Sequence, residues 1–338
     1  MKDNYYNIGL SNNPDEWVYS NSSLSLINPS QGGHPLKLVS FFTENNEEER
    51  ALSLERGKLI HLYMENPEGF AISSVPKPSD KLAIAADNLI ADLLTATDTI
   101  EITDEMILAN VRNVGWNSKW GDEAILKNTK DGIKSYVAEV LANKNKHILS
   151  ESTAKTVQSC IKAINENELI NVLITPCVNE TVYTEHTILW ESRGFKRKAK
   201  LDRFHVDLEA KVIRHFDYKS SGGSIMTFEG TFESYRYYRQ FAYYDEGLKN
   251  LIATTLGQNP DDWKIHHYVI VIETTEPFAT TVYEVTSFWL EEGRKEIAAI
   301  DNILNIHYKA NNFKQTYQEI QSYGFSTFRD VRNKEAWY

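Results

Sequence analysis

Two aspartates and a lysine lie close together in a segment whose sequence is typical of a β-hairpin. The stretch KLDRFHVDLEAKVIRHFDYKSS contains Asp202, Asp217 and Lys219 around a turn, LEAK, at residues 208–211. A hairpin that is symmetric about this turn places Asp202 opposite Asp217, and side-chain alternation puts Lys219 on the same face. The two carboxylates then have Cβ atoms about 5 Å apart. Such a pair is unfavourable unless a cation lies between its members.

A divalent metal ion fits the chemistry of this pair. The same register pairs Phe204 with His215 and Val206 with Ile213, and Lys219 supplies only part of the positive charge that the carboxylates need. Carboxylate oxygens suit Mg²⁺ or Mn²⁺, which keep water ligands and bind substrate phosphate. A water whose pKa is lowered by the metal is a nucleophile for phosphodiester cleavage. The alternative is an exposed hairpin with an ordinary cross-strand salt bridge.

A glycine and a histidine form a second candidate group. In GKLIHLYMENPEGF, Gly57 and His61 are four residues apart and share one face of a predicted helix. Glycine inside a helix costs roughly 1 kcal/mol relative to alanine, which indicates close approach by another group. His61 is therefore a candidate imidazole ligand for a metal. The alternative is a packed or solvated histidine on an amphipathic helix.

A third group lies on the helix predicted from SYRYYRQFAYYDEGL. Arg236, Gln240 and Tyr244 form an i, i+4, i+8 row that presents a guanidinium, an amide and a phenol. These groups suit a phosphate backbone or a base edge. The side chains on the other side of this region are predicted to be core: Phe228, Phe232, Tyr235 and Ala242.

Charge and cysteine content exclude some classes of protein. The net charge of −11 over 338 residues argues against a general polyanion binder. The stretch at 193–203 nevertheless carries six bases against one acid, so it predicts either a strip that faces phosphates or a solvated strand edge. Cys160 and Cys177 are the only cysteines, too few for an iron–sulfur cluster and consistent with a reducing compartment. Without a signal-like or membrane-spanning apolar run, a cytoplasmic location is expected.

The remaining sequence predicts the elements that position these residues. Residues 1–45, rich in Asn, Ser and Pro, predict an irregular N-terminal arm. A helix is predicted at about 47–65 and a helical region at 79–165. Strand patterns surround the two aspartates, one long helix is predicted over 227–257, and a strand pair and a helical end follow. This order predicts an α/β or α+β layer fold.

The candidate groups, taken in order, resemble a known nuclease family. The set G-x-x-x-H, D, D-x-K and Q-x-x-x-Y is similar to the RecB-like branch of the PD-(D/E)xK nucleases, and most similar to phage and prophage RecE-type (exonuclease VIII-like) exonucleases. YSNSSLSLINPS and HHYVIVIETTEPFATTVYEV add to the resemblance. Leu201 stands where some members have proline. The cysteines of the iron–sulfur members are missing, so no iron–sulfur cluster is expected.

The resemblance implies an α/β fold with three parts. It implies a central mixed β-sheet flanked by helices, with a helical insertion between the histidine helix and the catalytic hairpin. We expect the arm at 1–45, a nuclease domain at 46–290 that includes the helical region 79–165, and a C-terminal helical extension at 291–338 packed on that domain.

The resemblance also implies roles for individual residues. His61, Asp202 and Asp217 would hold Mg²⁺ or Mn²⁺, with the Tyr218 backbone carbonyl as a further ligand. Lys219 would orient or activate the attacking water and stabilise charge on the phosphate. The residues expected to support the site or touch DNA are Gly57, Lys200, Arg203, Arg236, Gln240 and Tyr244. Glu185 or Glu191 could add a carboxylate, and the sequence does not choose between them.

The function that the resemblance implies is a metal-dependent deoxyribonuclease. It would be a 5′–3′ double-strand exonuclease that acts at linear duplex ends in phage-type recombination, passes the exposed strand to an annealing protein and forms a homo-oligomeric ring around DNA. The alternatives are a catalytically silent DNA-end-binding module and a nuclease acting on RNA or a defence target. Trp116 and Trp120 either pack, the default for tryptophan, or separate the strands.

Overall fold

A computed structural model describes residues 4–44, 59–60, 62–64, 66–95, 101–144 and 146–322. The helices are α1 (Asn21–Ser25), α2 (Pro35–Thr43), α3 (Asp80–Thr95), α4 (Asp104–Asn113), α5 (Asp122–Ala142), α6 (Glu151–Glu166), α7 (Glu168–Ile174), α8 (Phe228–Ser234), α9 (Tyr237–Thr254), α10 (Ser287–Ala310) and α11 (Tyr317–Gln321). The strands are β1 (Phe70–Ser73), β2 (His147–Ser150), β3 (Glu180–Ser192), β4 (Phe195–Asp207), β5 (Val212–Ser221), β6 (Lys264–Glu273) and β7 (Thr280–Glu284). Most of the helix predicted at 47–65 lies outside the described residues.

The chain divides into two compact units. One consists of Met1–Lys58 together with Ala163–Tyr338, and the other of Leu59–Lys162. The boundaries expected at 45/46 and 290/291 both fall inside the first unit. None of the helices in the described parts of the chain is long and apolar enough to cross a membrane.

The first unit is built on a mixed sheet of five strands in the order β3-β4-β5-β6-β7. Its strand pairs are antiparallel except β5–β6, which is parallel. A parallel pair needs a crossover connection, and helices α8 and α9 provide it. Apolar side chains of β4, β5, α9 and α10 form the main core: Leu201, Phe204, Ile213, Tyr243, Leu248, Ile300 and Leu304. The predicted mixed sheet flanked by helices is confirmed.

The register predicted for the β4–β5 hairpin is confirmed. Phe204 pairs with His215, and Val206 pairs with Ile213. The last ladder pair is Arg203 with Phe216, whereas β5 continues beside β6 as far as Ser221. The β4–β5 ladder therefore ends one row before the two aspartates.

The N-terminal arm is more ordered than its composition predicts. It contains α1, α2 and three short 3₁₀ helices, and its side chains Trp17 and Tyr19 are buried in the main core. The Tyr19 N–H donates to the Lys196 carbonyl at 2.9 Å, and the Lys198 N–H donates to the Tyr19 carbonyl at 2.7 Å. The arm thus adds a short bridge to β4. The arm is rich in Asn, Ser and Pro, which favour turns, and this is why the sequence predicted an irregular segment.

The single helix predicted over 227–257 is broken in the structure. Helices α8 and α9 meet at Arg236, which has the left-handed backbone conformation φ 58°, ψ 37°. Its guanidinium lies 3.6 Å from the Glu296 carboxylate and donates to the Tyr238 hydroxyl. Arg236 therefore lies outside the helical row of Gln240 and Tyr244. The break also exposes Tyr235, of which 66% is accessible, so the prediction that Tyr235 belongs to the core is wrong.

The second unit is mainly helical, as predicted for residues 79–165. Helices α3, α4 and α5 enclose a core that includes Leu89, Ile107, Val111 and Ile125. Strands β1 and β2 form a parallel pair that the sequence did not predict. Trp116 packs against the helical core, whereas Trp120 is partly exposed and meets the Trp116 ring edge-on at 5.6 Å.

Candidate active site

The end of the β4–β5 ladder leaves the Asp202 carboxylate beside the backbone of β5. Asp202 Oδ2 accepts a hydrogen bond from the Tyr218 N–H at 3.1 Å. The N–H and C=O groups of one strand residue point to the same side, so the Tyr218 carbonyl also faces β4. Three residues further along β5, the Ser221 carbonyl accepts from the Thr274 N–H after β6. Ser221 thus faces β6, and Tyr218, an odd number of residues away, faces the opposite side. The backbone carbonyl expected as a ligand therefore points towards the side of Asp202.

Asp217 is a buried carboxylate whose two oxygens have different partners. Only 2% of the residue is exposed. Its Oδ2 lies 2.5 Å from the Lys219 Nζ, and its Oδ1 accepts from the Gln240 Nε2 at 3.2 Å. The same Gln240 amide donates to the Tyr244 hydroxyl at 2.7 Å. Because a buried charge is costly without partners, the Gln–Tyr row of α9 helps to hold Asp217 in place.

The Lys219 ammonium lies among both carboxylates and an aromatic ring. Its side chain is 17% exposed, and its Nζ lies 4.9 Å from the centre of the Tyr237 ring. Burial lowers the pKa of Lys219, but Asp217 and Asp202 outweigh that effect, so the net pKa is raised. The side chain is therefore an ammonium at neutral pH, suited to orienting a water and to balancing negative charge.

Tyr237 is a residue of this site that the sequence interpretation missed. It opens α9 three residues before Gln240 and seven before Tyr244, so the three side chains share one helical face. Burial raises the pKa of Tyr237, while the neighbouring Lys219 lowers it by less. The i, i+3, i+7 spacing is present in the sequence, but on one continuous helix Arg236, and not Tyr237, lies in the i, i+4, i+8 row with Gln240 and Tyr244.

Two buried histidines behind the site were also missed. His215 lies two residues before Asp217, and its Nδ1 is 3.0 Å from the Nδ1 of His267 on β6. The His267 Nε2 lies 3.4 Å from the Asp245 carboxylate. Burial, followed by the neighbouring His267, lowers the pKa of His215 well below its ordinary value. Its neutral ring packs edge-on against Tyr244 at 5.3 Å and so supports the Gln–Tyr row.

The two candidate glutamates differ in their distance from Asp202. The pairs Thr184–Arg203 and His186–Leu201 flank Glu185, so Glu185 lies opposite Asp202. It has a φ of +46°, and its carboxylate pairs with the Lys200 ammonium. Glu191 lies opposite Lys196 and is exposed. Glu185 is therefore the one that the register brings beside Asp202.

The basic strip at 193–203 is largely engaged within the protein. Arg197 is buried and pairs with Asp301 at 2.6 Å. Lys198 is also buried, and its Nζ donates to the carbonyls of Tyr5 and Ile8 at 2.9 and 2.8 Å. Both interpretations of the strip assumed exposed bases and are wrong for these two residues, because β4 is an interior strand covered by the arm. The Arg203 Nε donates to the His205 Nε2 at 2.9 Å.

The donor set at the hairpin fits a hard divalent metal. Within the described ranges, no group of three or more His, Cys, Asp and Glu side chains is arranged to hold a metal ion. His61 and Gly57 lie outside those ranges. Two carboxylates and a backbone carbonyl are all oxygen donors, and Mg²⁺ is usually bound by one or two carboxylates together with waters and substrate phosphate. The donor atoms of Asp202, Asp217 and Tyr218 are thus of the type that Mg²⁺ and Mn²⁺ prefer.

Comparisons with known proteins assign the family. A family model described as a PDDEXK-like domain of unknown function (DUF3799) matches residues 35–315. A search among curated proteins found no match. A solved structure described as a candidate exonuclease from Eubacterium rectale is 11% identical, covers 86% of this chain and 90% of that one, and has a TM-score of 0.34. A TM-score this low supports no conclusion. The family match, which spans most of the chain and includes the Asp202–Asp217–Lys219 hairpin, shows that the chain belongs to the PDDEXK-like family.

Proposed function

We propose that the protein is a metal-dependent deoxyribonuclease that hydrolyses DNA phosphodiester bonds. The observation that carries this proposal is the convergence of Asp202, Asp217 and Lys219 where the β4–β5 ladder ends. Two carboxylates on neighbouring strands can hold a metal ion that activates a water, and one ammonium can stabilise the charge on the phosphate that this water attacks. Membership of the PDDEXK-like family supports the same chemistry.

Each residue of the candidate site has its own role in the proposed reaction. Asp202 and Asp217, with the Tyr218 carbonyl, would hold Mg²⁺ or Mn²⁺, which supplies positive charge and a water of lowered pKa. Lys219, kept protonated by the two carboxylates, directs an N–H at the attacking water or at the phosphate oxygen where negative charge develops. Gln240 and Tyr244 keep Asp217 in one orientation, which preserves the geometry that Lys219 requires.

The finer features of the proposal rest on the resemblance to RecE-type exonucleases. On that basis we propose digestion of one strand of linear duplex DNA, 5′ to 3′, in phage-type recombination. The exposed strand would pass to a single-strand annealing protein, and the enzyme would form a ring around its substrate.

The test compares end-labelled linear duplex with closed circular DNA in Mg²⁺. We expect loss of the linear DNA only, with mononucleotides released from the 5′ label, and no loss with Lys219→Ala. Lys295→Ala is the matched control, because Lys295 forms an exposed ion pair with Glu292 on α10. This variant should cleave at the wild-type rate.

Three outcomes would contradict the proposal. Cleavage after thorough chelation of divalent ions would exclude the metal mechanism. Tight binding to DNA ends without cutting would indicate a silent end-binding module. Preferential digestion of RNA under the same conditions would assign a different substrate.

A further inference from the structure

An exposed tyrosine lies one ring away from the candidate catalytic lysine. Tyr235 stands at the end of α8, and its ring is nearly parallel to that of Tyr237, with 5.9 Å between centroids and an interplanar angle of 20°. Tyr237 in turn covers the Lys219 ammonium. The face of Tyr235 thus continues the candidate active site towards solvent.

The two tyrosines belong to a row of stacked rings that runs from Tyr235 to Tyr283. Tyr237 stacks on Phe228 at 6.1 Å, and Phe228 stacks on Tyr283 of β7 at 5.9 Å. Phe228 is buried, and Tyr237 and Tyr283 are partly buried. Tyr235 is the most exposed member of the row. A large aromatic side chain gains little from such exposure, so packing within the chain does not account for it.

The backbone at this point is held in an unfavourable conformation. Arg236, between the two tyrosines, has a positive φ, which costs a residue with a side chain roughly 1–2 kcal/mol. Its contacts with Glu296 and Tyr238 maintain the break. Without the break, α8 would run on into α9. Backbone outliers beside an active site are a recognised indication of function, and here the outlier is what turns Tyr235 outwards.

The chemistry of this ring favours a base rather than a phosphate. Helix α8, FEGTFES, carries two acidic residues, Glu229 and Glu233, and no basic one, so it offers no cation to a phosphodiester. The flat face of a phenol ring suits a nucleobase, and such stacking is worth about 1–3 kcal/mol per base with little dependence on sequence. A base inside a duplex already stacks on both neighbours, so a terminal or unpaired base offers a free face at the lowest cost.

We propose that Tyr235 stacks on an unpaired nucleobase next to the phosphate that is cut at Lys219. The site thereby takes the frayed or single-stranded end of a DNA strand. This inference rests on the proposed nuclease function and specifies the form of the substrate.

The first test measures stacking without cleavage. In a Lys219→Ala background, linear DNA with a short overhang carries 2-aminopurine as its terminal base, at the 5′ end in one duplex and the 3′ end in another. Stacking on tyrosine quenches this base, so we expect fluorescence at one of the ends to fall on binding. Adding Tyr235→Ala should restore the emission of free DNA, whereas Tyr235→Phe should not. Equal quenching with and without the Tyr235 ring would overturn the proposal.

The matched control is Phe288→Ala, which removes another exposed aromatic side chain of the first unit that is not part of the stacked row. It should leave the quenching unchanged, and quenching lost equally in this variant would also overturn the proposal. Since no cutting is needed, quenching that depends on Tyr235 in a protein that never cleaves DNA would retain the stacking site and reject only the nuclease function.

The second test measures cleavage in the wild-type background. Tyr235→Ala should slow digestion of overhang ends 5- to 150-fold, the equivalent of about 1–3 kcal/mol. An abasic terminal nucleotide should slow the wild-type enzyme by a similar factor and cause no further loss in Tyr235→Ala. Equal losses in both proteins on the abasic substrate would show that the base contacts another group and would overturn the proposal.

Discussion

Gln240 joins the buried carboxylate of Asp217 to the hydroxyl of Tyr244 through a single amide nitrogen. Gln240→Ala removes a donor from a buried charge, which typically costs about 1–3 kcal/mol. We expect the free energy of unfolding to fall by this amount and cleavage to fall by at least tenfold, because Asp217 is no longer fixed in orientation. Denaturant unfolding and cleavage rates check the prediction. Tyr244→Phe, which leaves the Gln240–Asp217 bond intact, should lose less activity; a larger loss would give Tyr244 a direct role.

His205 predicts a pH-dependent stability. Burial, followed by the charges of Arg203 and Arg214, lowers the pKa of His205 to about 4, although Glu180 raises it in part. The unfolded chain binds this proton near pH 6.5 and the folded protein only near pH 4, so the unfolded state carries more protons between these values. Stability should therefore fall as pH falls through this window, by at most about 1.4 kcal/mol per unit for one group.

The measurement is urea unfolding at pH values from 7 to 4. His205→Gln should reduce the slope between pH 6.5 and 4, and buried histidines such as His215 account for the slope that is left. His266→Gln is the control, because His266 is an exposed histidine of β6 paired with Glu284, and it should keep the wild-type slope. An unchanged slope in His205→Gln would assign the pH dependence to other groups.

At the residue scale, local rules accounted for part of the site. Strand alternation and the turn at 208–211 predicted that Asp202, Asp217 and Lys219 converge, because all the information lies within one hairpin. The His215–His267 contact could not be predicted in this way. It joins two parallel strands across a long crossover, and their register depends on how the intervening helices pack.

At the element scale, the break between α8 and α9 gives a test of backbone strain. Arg236→Gly and Arg236→Ala both remove the contacts with Glu296 and Tyr238. The left-handed backbone conformation is unfavourable for alanine but not for glycine. We expect Arg236→Gly to be more stable than Arg236→Ala by about 1 kcal/mol, as measured by urea unfolding. Equal stability would mean that the backbone relaxes out of this conformation once the guanidinium is gone.

The same break shows where prediction of elements from sequence ends. The aromatic and helix-forming residues of 227–257 fit one continuous helix, and no glycine or proline marks position 236. The conformation depends on Glu296, sixty positions further along the chain. The hydrophobic periodicity of the segment 227–257 does not predict a contact with a residue outside it, and so the sequence did not predict the exposure of Tyr235.

At the scale of the whole molecule, the proposed ring remains to be tested. The net charge is −11, and two of the six basic residues at 193–203, Arg197 and Lys198, are buried, so a single chain presents fewer basic side chains to DNA than the sequence predicted. Several chains around one duplex would bring the remaining exposed Lys and Arg side chains together. We expect sedimentation velocity with and without linear duplex to show an oligomer larger than a dimer. Monomers under both conditions would exclude the ring.

The contacts between the N-terminal arm and β4 have a consequence for biosynthesis. Ile8 and its partner Lys198 are 190 positions apart, and Tyr19 bonds the backbone of the same strand. A ribosome that adds 5–20 residues per second needs roughly 10–40 s to deliver that partner. Until then, Trp17 and Tyr19 can pack on Phe42 within the arm, but Phe195, the β4 ring that meets Tyr19, has not yet been made. We therefore expect the arm to be open to chaperones and proteases on the nascent chain during this interval, however stable the finished protein becomes.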